Sequence, residues 1–164
     1  MAHVDKRKRT ITIDLLVAGP HGSGKSAVIS YLCDVAEQNT GTRPRQRGKE
    51  ERVCVPMGSV RGFELNVEFF TSDEAASADG VYFVADSRLE SAAANVKSLA
   101  KLEPGPRVFL YNKCDLPDAQ LISEAELREA LNPNGAPDFR GVATTGPGVS
   151  HLAMQLINQV LKRL

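Results

Sequence analysis

The sequence predicts an α/β fold with a mainly parallel sheet of about six strands and helices on both faces. Three observations carry that expectation. Short apolar runs alternate along the chain with helix-length amphipathic stretches. A phosphate-loop motif, Gly19-Pro20-His21-Gly22-Ser23-Gly24-Lys25-Ser26, stands between the apolar run 11–18 and a helical pattern. A second apolar run, Arg107-Val108-Phe109-Leu110-Tyr111, leads directly into Asn112-Lys113-Cys114-Asp115. In a parallel α/β sheet the carboxyl ends of the strands face one ligand crevice, so both motifs should meet there.

Each element has its own signal. Residues 1–9, with Lys6-Arg7-Lys8-Arg9, read as a basic tail, and 10–164 as one domain, since no repeat or linker divides it. Residues 25–38 predict the first helix, with Ala27, Val28, Tyr31, Leu32 and Val35 on its apolar face. Residues 39–51 are polar, locally basic and contain Pro and Gly, the composition of a mobile loop. Residues 52–56 and 63–70 alternate apolar with polar, and Gly58-Ser59-Val60-Arg61-Gly62 between them reads as a hairpin turn. Residues 81–85 predict a buried strand and 89–102 a helix. Ser123-Glu124-Ala125-Glu126 has capping-box spacing and starts a helix reaching residue 131, where Asn132-Pro133-Asn134-Gly135 breaks it. Residues 139–144 predict the final strand. Val149, Leu152, Ala153, Leu156, Val160 and Leu164 recur at helical spacing, the pattern of a helix docked on the sheet.

Composition narrows the function classes. The 164 residues include 20 basic and 20 acidic side chains, so nothing in the total charge argues for nucleic acid as a partner. Three cysteines without metal-ligand spacing read as free thiols of a reducing compartment. No run approaches the ~20 apolar residues of a membrane span. The basic start lacks the apolar stretch of a signal peptide, residue 2 is Ala, and the last residues offer no cysteine. A cytoplasmic location without a membrane anchor is the expectation.

The two motifs specify a ligand. Gly19, Gly22 and Gly24 let the backbone turn its N–H groups, with those of His21 and Ser23, around a polyphosphate. Lys25 adds positive charge near the outer phosphates, and the Ser26 hydroxyl is placed to ligate Mg²⁺. The Asp115 carboxylate can accept two hydrogen bonds from the N1–H and 2-amino group of guanine, a donor pair that adenine lacks. Lys113 can lay its alkyl stem along the base, and Asn112 can tie this loop to the phosphate loop. Guanine nucleotides (GTP/GDP) with Mg²⁺ are therefore the expected ligands. An ATP-dependent enzyme is a rival reading, since residues 81–86 have the form of a strand ending in a magnesium-holding acid, Asp86.

The ordered set of phosphate loop, hairpin, Asp86-ended strand, Asn112-Lys113-Cys114-Asp115-Leu116 and Ala143-Thr144-Thr145-Gly146 resembles Ras-like small GTPases. The narrower likeness is to the bacterial MglA-type proteins of gliding motility and cell polarity. It is carried by Val55-Pro56-Met57-Gly58 with Arg61-Gly62-Phe63, by residues 78–87, and by Ala130-Leu131-Asn132-Pro133. The resemblance implies the Ras-like P-loop fold, contact of Ala143 and Thr144 with the guanine, and a dimeric Roadblock-type (MglB-like) partner at the switch regions.

Departures from the family bear on mechanism. Ras-like proteins follow the third strand with Asp-x-x-Gly, whose Gly N–H senses the γ-phosphate, and then a Gln that orients water. Here Phe70-Thr71-Ser72-Asp73-Glu74 offers neither Gly nor Gln, and residues 71–80 are too few for a second switch of normal length. The family's magnesium-binding Thr falls near Lys49, with only Thr40 and Thr42 upstream as replacements. The expectation is a nucleotide-binding scaffold, a pseudo-GTPase with very slow or absent hydrolysis; the alternative is a slow genuine GTPase completed by a partner in trans. Other tempting residues have bland readings. His21 and His151 read as surface side chains, Asp73 and Glu74 as a solvated turn, and the basic stretch 43–52, without interleaved aromatics, as a solvated face.

Overall fold

Strand β6 (Gly80–Asp86) is buried at every position, as a central parallel strand covered on both faces must be. The computed structural model in which it lies describes residues 2–44, 46–47, 52–72 and 77–164. Around β6 an eight-stranded sheet is built from β1 (His3–Asp5), β2 (Thr10–Ala18), β3 (Gln46–Arg47), β4 (Arg52–Val60), β5 (Phe63–Phe70), β7 (Arg107–Asn112) and β8 (Asp138–Arg140). The order is β3-β4-β5-β2-β6-β7-β8, with β1 also paired to β2. Strands β5, β2, β6, β7 and β8 are mutually parallel, and β4 joins by an antiparallel hairpin. The sheet exceeds the expected six strands by the short β1 and β3.

Helices α1 (Lys25–Thr40) and α4 (Pro147–Leu161) pack on one face, α2 (Ala92–Ala100) and α3 (Glu124–Leu131) on the other. The first layer buries Val28, Leu32, Leu152 and Leu156 against Val17, Val67, Tyr82 and Leu110; the Tyr82 hydroxyl donates to Val149 O at 3.1 Å. The second sets Leu127 and Leu131 on Phe83, Phe109 and Tyr111. The capping box of α3 forms as read: Glu126 N donates to Ser123 Oγ (3.2 Å) and Ser123 N to Glu126 Oε2 (3.1 Å).

Several boundaries differ from the sequence reading. The buried face of α1 is Val28, Ile29, Leu32, Cys33 and Ala36, so Ala27, Tyr31 and Val35 only flank it. Within 39–51, α1 runs on to Thr40 and Gln46–Arg47 form β3; residues 45 and 48–51 lie outside the described set. The hairpin turn is Arg61-Gly62, both at positive φ (50° and 79°), while Gly58 (85°) falls in an irregularity of register between Pro56 and Ser59. The predicted 89–102 helix is a 3-10 turn, Leu89–Ser91, leading into the shorter α2. β8 stops at Arg140, because residues 141–146 turn back toward α4 instead of extending. α4 ends at Leu161, leaving Leu164 exposed.

Register explains the unusual connection between β5 and β6. Phe70 at the end of β5 lies opposite Leu16 of β2, and Gly80 at the start of β6 lies opposite Leu15. The chain must therefore cross β2 sideways, about 9.6 Å for two strand spacings, with no return along the strand. The nine residues 71–79 are long enough to span that distance. The cost falls on β2, whose residues 10–14 are left without β6 beside them. The start of the chain fills the gap: Asp5, Val4 and His3 pair with Thr10, Ile11 and Thr12. Asp79 completes it, accepting from Asp14 N on its carboxylate and donating its own N–H to Asp14 O, both at 2.8 Å. Residues 3–5, read as tail, are thus part of the sheet; a three-residue strand carries no periodic signal.

Deleting residues 2–5 should strip paired backbone from the edge of β2. A loss of about 1–2 kcal/mol corresponds to a fall in melting temperature of roughly 3–6 °C. Thermal melts with light scattering check this, and an unchanged melt would mean that β1 is dispensable.

Candidate nucleotide site

After β2 the chain turns through Gly19 (φ 146°), Gly22 (73°) and Gly24 (108°) into α1. Two of these glycines are also required by close approach. A Cβ on Gly19 would overlap the Val84 carbonyl oxygen, and one on Gly24 would overlap the Asn112 side-chain amide. The N-terminus of α1 has no side-chain cap and no acid in its first turn. Its first-turn N–H groups lack intrahelical acceptors and carry the positive end of the helix dipole, a fit to phosphate. Lys25 Nζ lies across the loop, donating to Gly19 O (2.9 Å) and Pro20 O (3.0 Å). Ser26 and His21 are exposed at the same end. Ser23 is turned inward: its N–H donates to Pro20 O (3.2 Å), and its buried hydroxyl, beside Gly19, has no partner among the described residues.

Asn112, at the end of β7 and only 5% exposed, clamps three loops. Its Nδ2 donates to Ser23 O at 2.7 Å and its Oδ1 accepts from Ala143 N at 2.8 Å. Lys113, held at φ 67°, sends its ammonium to Gly22 O (2.6 Å) and to Asp86 Oδ2 (3.0 Å). Cys114 N donates to Gly141 O, which joins this turn to the segment before Ala143. Ala143 is buried, whereas Asp115 and Thr144 stand exposed. The structure thus gathers Gly22, Ser23, Asn112, Lys113 and Ala143 by direct hydrogen bonds and leaves Asp115 and Thr144 facing solvent.

Asp86 has a structural job that the sequence reading missed. Its carboxylate, 1% exposed, receives Arg88 through Nε (3.1 Å) and Nη2 (2.7 Å), the Arg88 backbone N–H, and Lys113. Burial pushes its pKa up, but the hydrogen bonds from Arg88 and Lys113 outweigh it and hold the carboxyl down to about 2. An acid so engaged is not the open magnesium ligand of the ATP-dependent reading. Arg88, two residues past the strand, was the signal available: a cation at that spacing can fold back on a strand-end acid.

Other predicted positions disperse. Thr40 is fourteen residues along α1 from Ser26, about 21 Å at the rise of a helix, and its hydroxyl donates to Ala36 O (2.7 Å). Neither Thr40 nor Thr42 is placed to replace the missing magnesium-binding Thr. Lys49, Asp73 and Glu74 lie outside the described residues. Ser26 is thus the described residue that would hold Mg²⁺; no cluster of three His, Cys, Asp or Glu suited to a metal occurs among the described residues. His151 contacts Gln155 on the surface at 2.9 Å.

The chain is 29% identical to the mutual gliding-motility protein MglA of Myxococcus xanthus (strain DK1622) over 193 aligned positions, covering 100% of this chain and 98% of that protein. It is 26% identical to the Ras-related protein Rab-27A of Mus musculus, covering 93% and 80%. The chain is thus similar to MglA over its whole length and to a Ras-related protein over most of it. No protein-family model matches it. Aligning 164 residues over 193 positions requires at least 29 positions at which this chain has no residue. No helix among the described residues is long and apolar enough to cross a membrane.

The Asp86→Asn variant would leave Arg88 and Lys113 without their shared anion. A stability loss of about 2 kcal/mol at pH 7 is expected. A carboxyl depressed to about 2 contributes fully above its unfolded value, ~3.9, and loses that contribution as pH falls toward 2. Melting temperatures of the parent and the variant should therefore differ at pH 7 and converge between pH 4 and 2.

Proposed function

We propose that this chain binds GDP and GTP with Mg²⁺ and hydrolyses GTP very slowly or not at all, serving as a binding or scaffold component of a polarity or motility system. The observation that carries this reading is the Asn112 clamp, which places an uncapped helix N-terminus and an Asn-Lys-x-Asp turn at one end of the sheet. In this reading the backbone of residues 19–26 and the Lys25 ammonium hold the phosphates, and Ser26 holds Mg²⁺, which when bound neutralises phosphate charge. Asp115 reads the guanine edge while Ala143 and Thr144 close over it. The likeness to the mutual gliding-motility protein of Myxococcus supports the motility assignment. A Roadblock-type, MglB-like regulator is the proposed protein partner, engaging residues 39–58 because the second switch is short.

The inactivity reading rests on residues 71–79, where the family's γ-phosphate sensor and water-orienting Gln have no counterpart in the sequence. A ligand shifts an equilibrium only by its differential affinity for two states, and without those contacts GTP gains little over GDP. The two nucleotides should bind within about tenfold of each other, ~1.4 kcal/mol. Calorimetry gives the affinities, and hydrogen exchange over residues 39–80 compares the two states. Strong GTP-specific protection would restore the working-switch reading.

Base choice tests the site itself. Asp115→Asn should move preference from guanine toward xanthine nucleotides, whose C2 carbonyl suits an amide, whereas Lys25→Ala should weaken all nucleotides alike. Competition with GDP, XDP and ADP is the measurement; an unchanged guanine preference in Asp115→Asn would remove Asp115 from the site.

A further inference from the structure

Strands β2, β5, β6 and β7 run so that their carboxyl ends carry the nucleotide site, and three separate turns converge at the opposite end. The first joins β1 to β2 and contains Lys6, Arg7, Lys8 and Arg9. The second joins β4 to β5 and contains Arg61; it abuts the first, with Glu64 N donating to Arg9 O at 2.8 Å and the Arg9 guanidinium 6.0 Å from the Phe63 ring. The third follows α4 and contains Lys162 and Arg163. A shallow cavity of about 380 Å³, lined by Val4, Arg61, Phe63, Leu161, Lys162 and Leu164 among others, joins the second and third turns to strand β1.

All seven cations are exposed, and none is in an ion pair among the described residues. These turns and their flanks hold just two acids, Asp5 and Glu64, and Asp5 Oδ1 is occupied by the N–H groups of Arg7 and Lys8. Because the whole chain carries formal charge 0, the excess here is matched by net negative charge elsewhere. The basic excess at this end is local, seven cations against two acids. Val4 (40% exposed) and Leu164 (58%) add apolar side chains among the cations.

We propose that this end docks on an anionic lipid bilayer, with cations at the headgroups, Val4 and Leu164 at the acyl boundary, and the nucleotide site pointing away. A concentration of like charge on one face turns a protein to present that face to a plane of opposite charge. Mixed cations and exposed aliphatics suit a lipid interface. A single-stranded nucleic acid would instead favour exposed aromatics for stacking; none lies here except half-buried Phe63, already under Arg9, and a duplex would leave the exposed aliphatics Val4 and Leu164 without a role. The folded hairpin matters, because β1 fixes the Lys6–Arg9 turn beside Arg61 instead of leaving it a free tail.

The test is co-sedimentation of the full chain with vesicles of phosphatidylserine and phosphatidylcholine (30:70), against pure phosphatidylcholine and against a duplex DNA 20-mer. Each basic residue near an anionic surface is worth about fivefold in affinity. Two triple variants, K6Q/R7Q/K8Q and R61Q/K162Q/R163Q, should therefore each weaken binding on the order of a hundredfold, and raising NaCl from 0.1 to 0.5 M should do the same to the parent. Thermal melts and fluorescent-GDP binding, both expected to be unchanged, exclude misfolding and separate this result from the fate of the nucleotide reading. Equal binding to neutral vesicles, tighter binding to DNA, or loss in the first variant alone would overturn the composite surface.

Discussion

The side chain of Asn112 is the constraint on which the site depends. A single amide, buried at the end of β7, donates to the phosphate loop and accepts from the Ala143 turn. Each of these loops would otherwise bury a backbone group without a partner, at a cost of about 1–3 kcal/mol. Gly24 is drawn into the same arrangement, since any side chain there would occupy the space of that amide. Lys113 adds a second tie one residue later, and Asp86 with Arg88 anchors Lys113 in turn. The result is a relay of fixed contacts from the end of β6 through β7 to the phosphate loop, none of which runs through the β5–β6 connection.

That independence allows residues 71–79 to be short. In a parallel sheet the crossover between strands usually carries a helix, because the chain must travel back the length of a strand. Here β5 leaves and β6 enters at the same level of β2, so the return is unnecessary. The stagger is balanced by the start of the chain, and β2 ends with its backbone satisfied along both sides: by β5 on one, and by β1, Asp79 and β6 in turn on the other.

These features differ in how well a sequence displays them. The phosphate loop, the Asn-Lys-x-Asp turn and the capping box of α3 were legible because each is a local pattern with its own hydrogen-bond logic. Strand β6 was legible from composition alone, as an unbroken apolar run. β1 was not, because three residues have no period and their pairing depends on where β6 begins, a fact of tertiary register. The face of α1 was misjudged for a related reason: Ile29, Cys33 and Ala36 are apolar too, and only the position of α4 and β4 selects among adjacent stripes. The Arg88–Asp86 pair is local and its spacing readable, whereas the share of Lys113 in it depends on a residue 27 positions away.

The sheet face beyond α2 and α3 shows what takes the place of a helix. Over β4, β5 and β2 no helix lies among the described residues, and the strands alternate as half-solvated strands should, with Val53, Val55, Leu65 and Val67 inward and Cys54, Asn66, Glu68 and Thr12 outward. Arg52 organises the polar side: it pairs with Glu68 at 2.7 Å, approaches Asp14 at 3.8 Å, and lies 4.4 Å from the centre of the Phe70 ring. The guanidinium thereby shields the apolar edge that a covering helix would have buried. The arrangement is not free of strain. Burial, with Glu68 and Asp79 nearby, raises the Asp14 pKa despite Arg52, so the ionised carboxylate at neutral pH opposes folding. One arginine cannot fully satisfy two acids, and the connection through Asp79 that makes the short crossover work brings the third. The short crossover thus leaves its mark as a carboxyl group whose pKa is raised above its ordinary value.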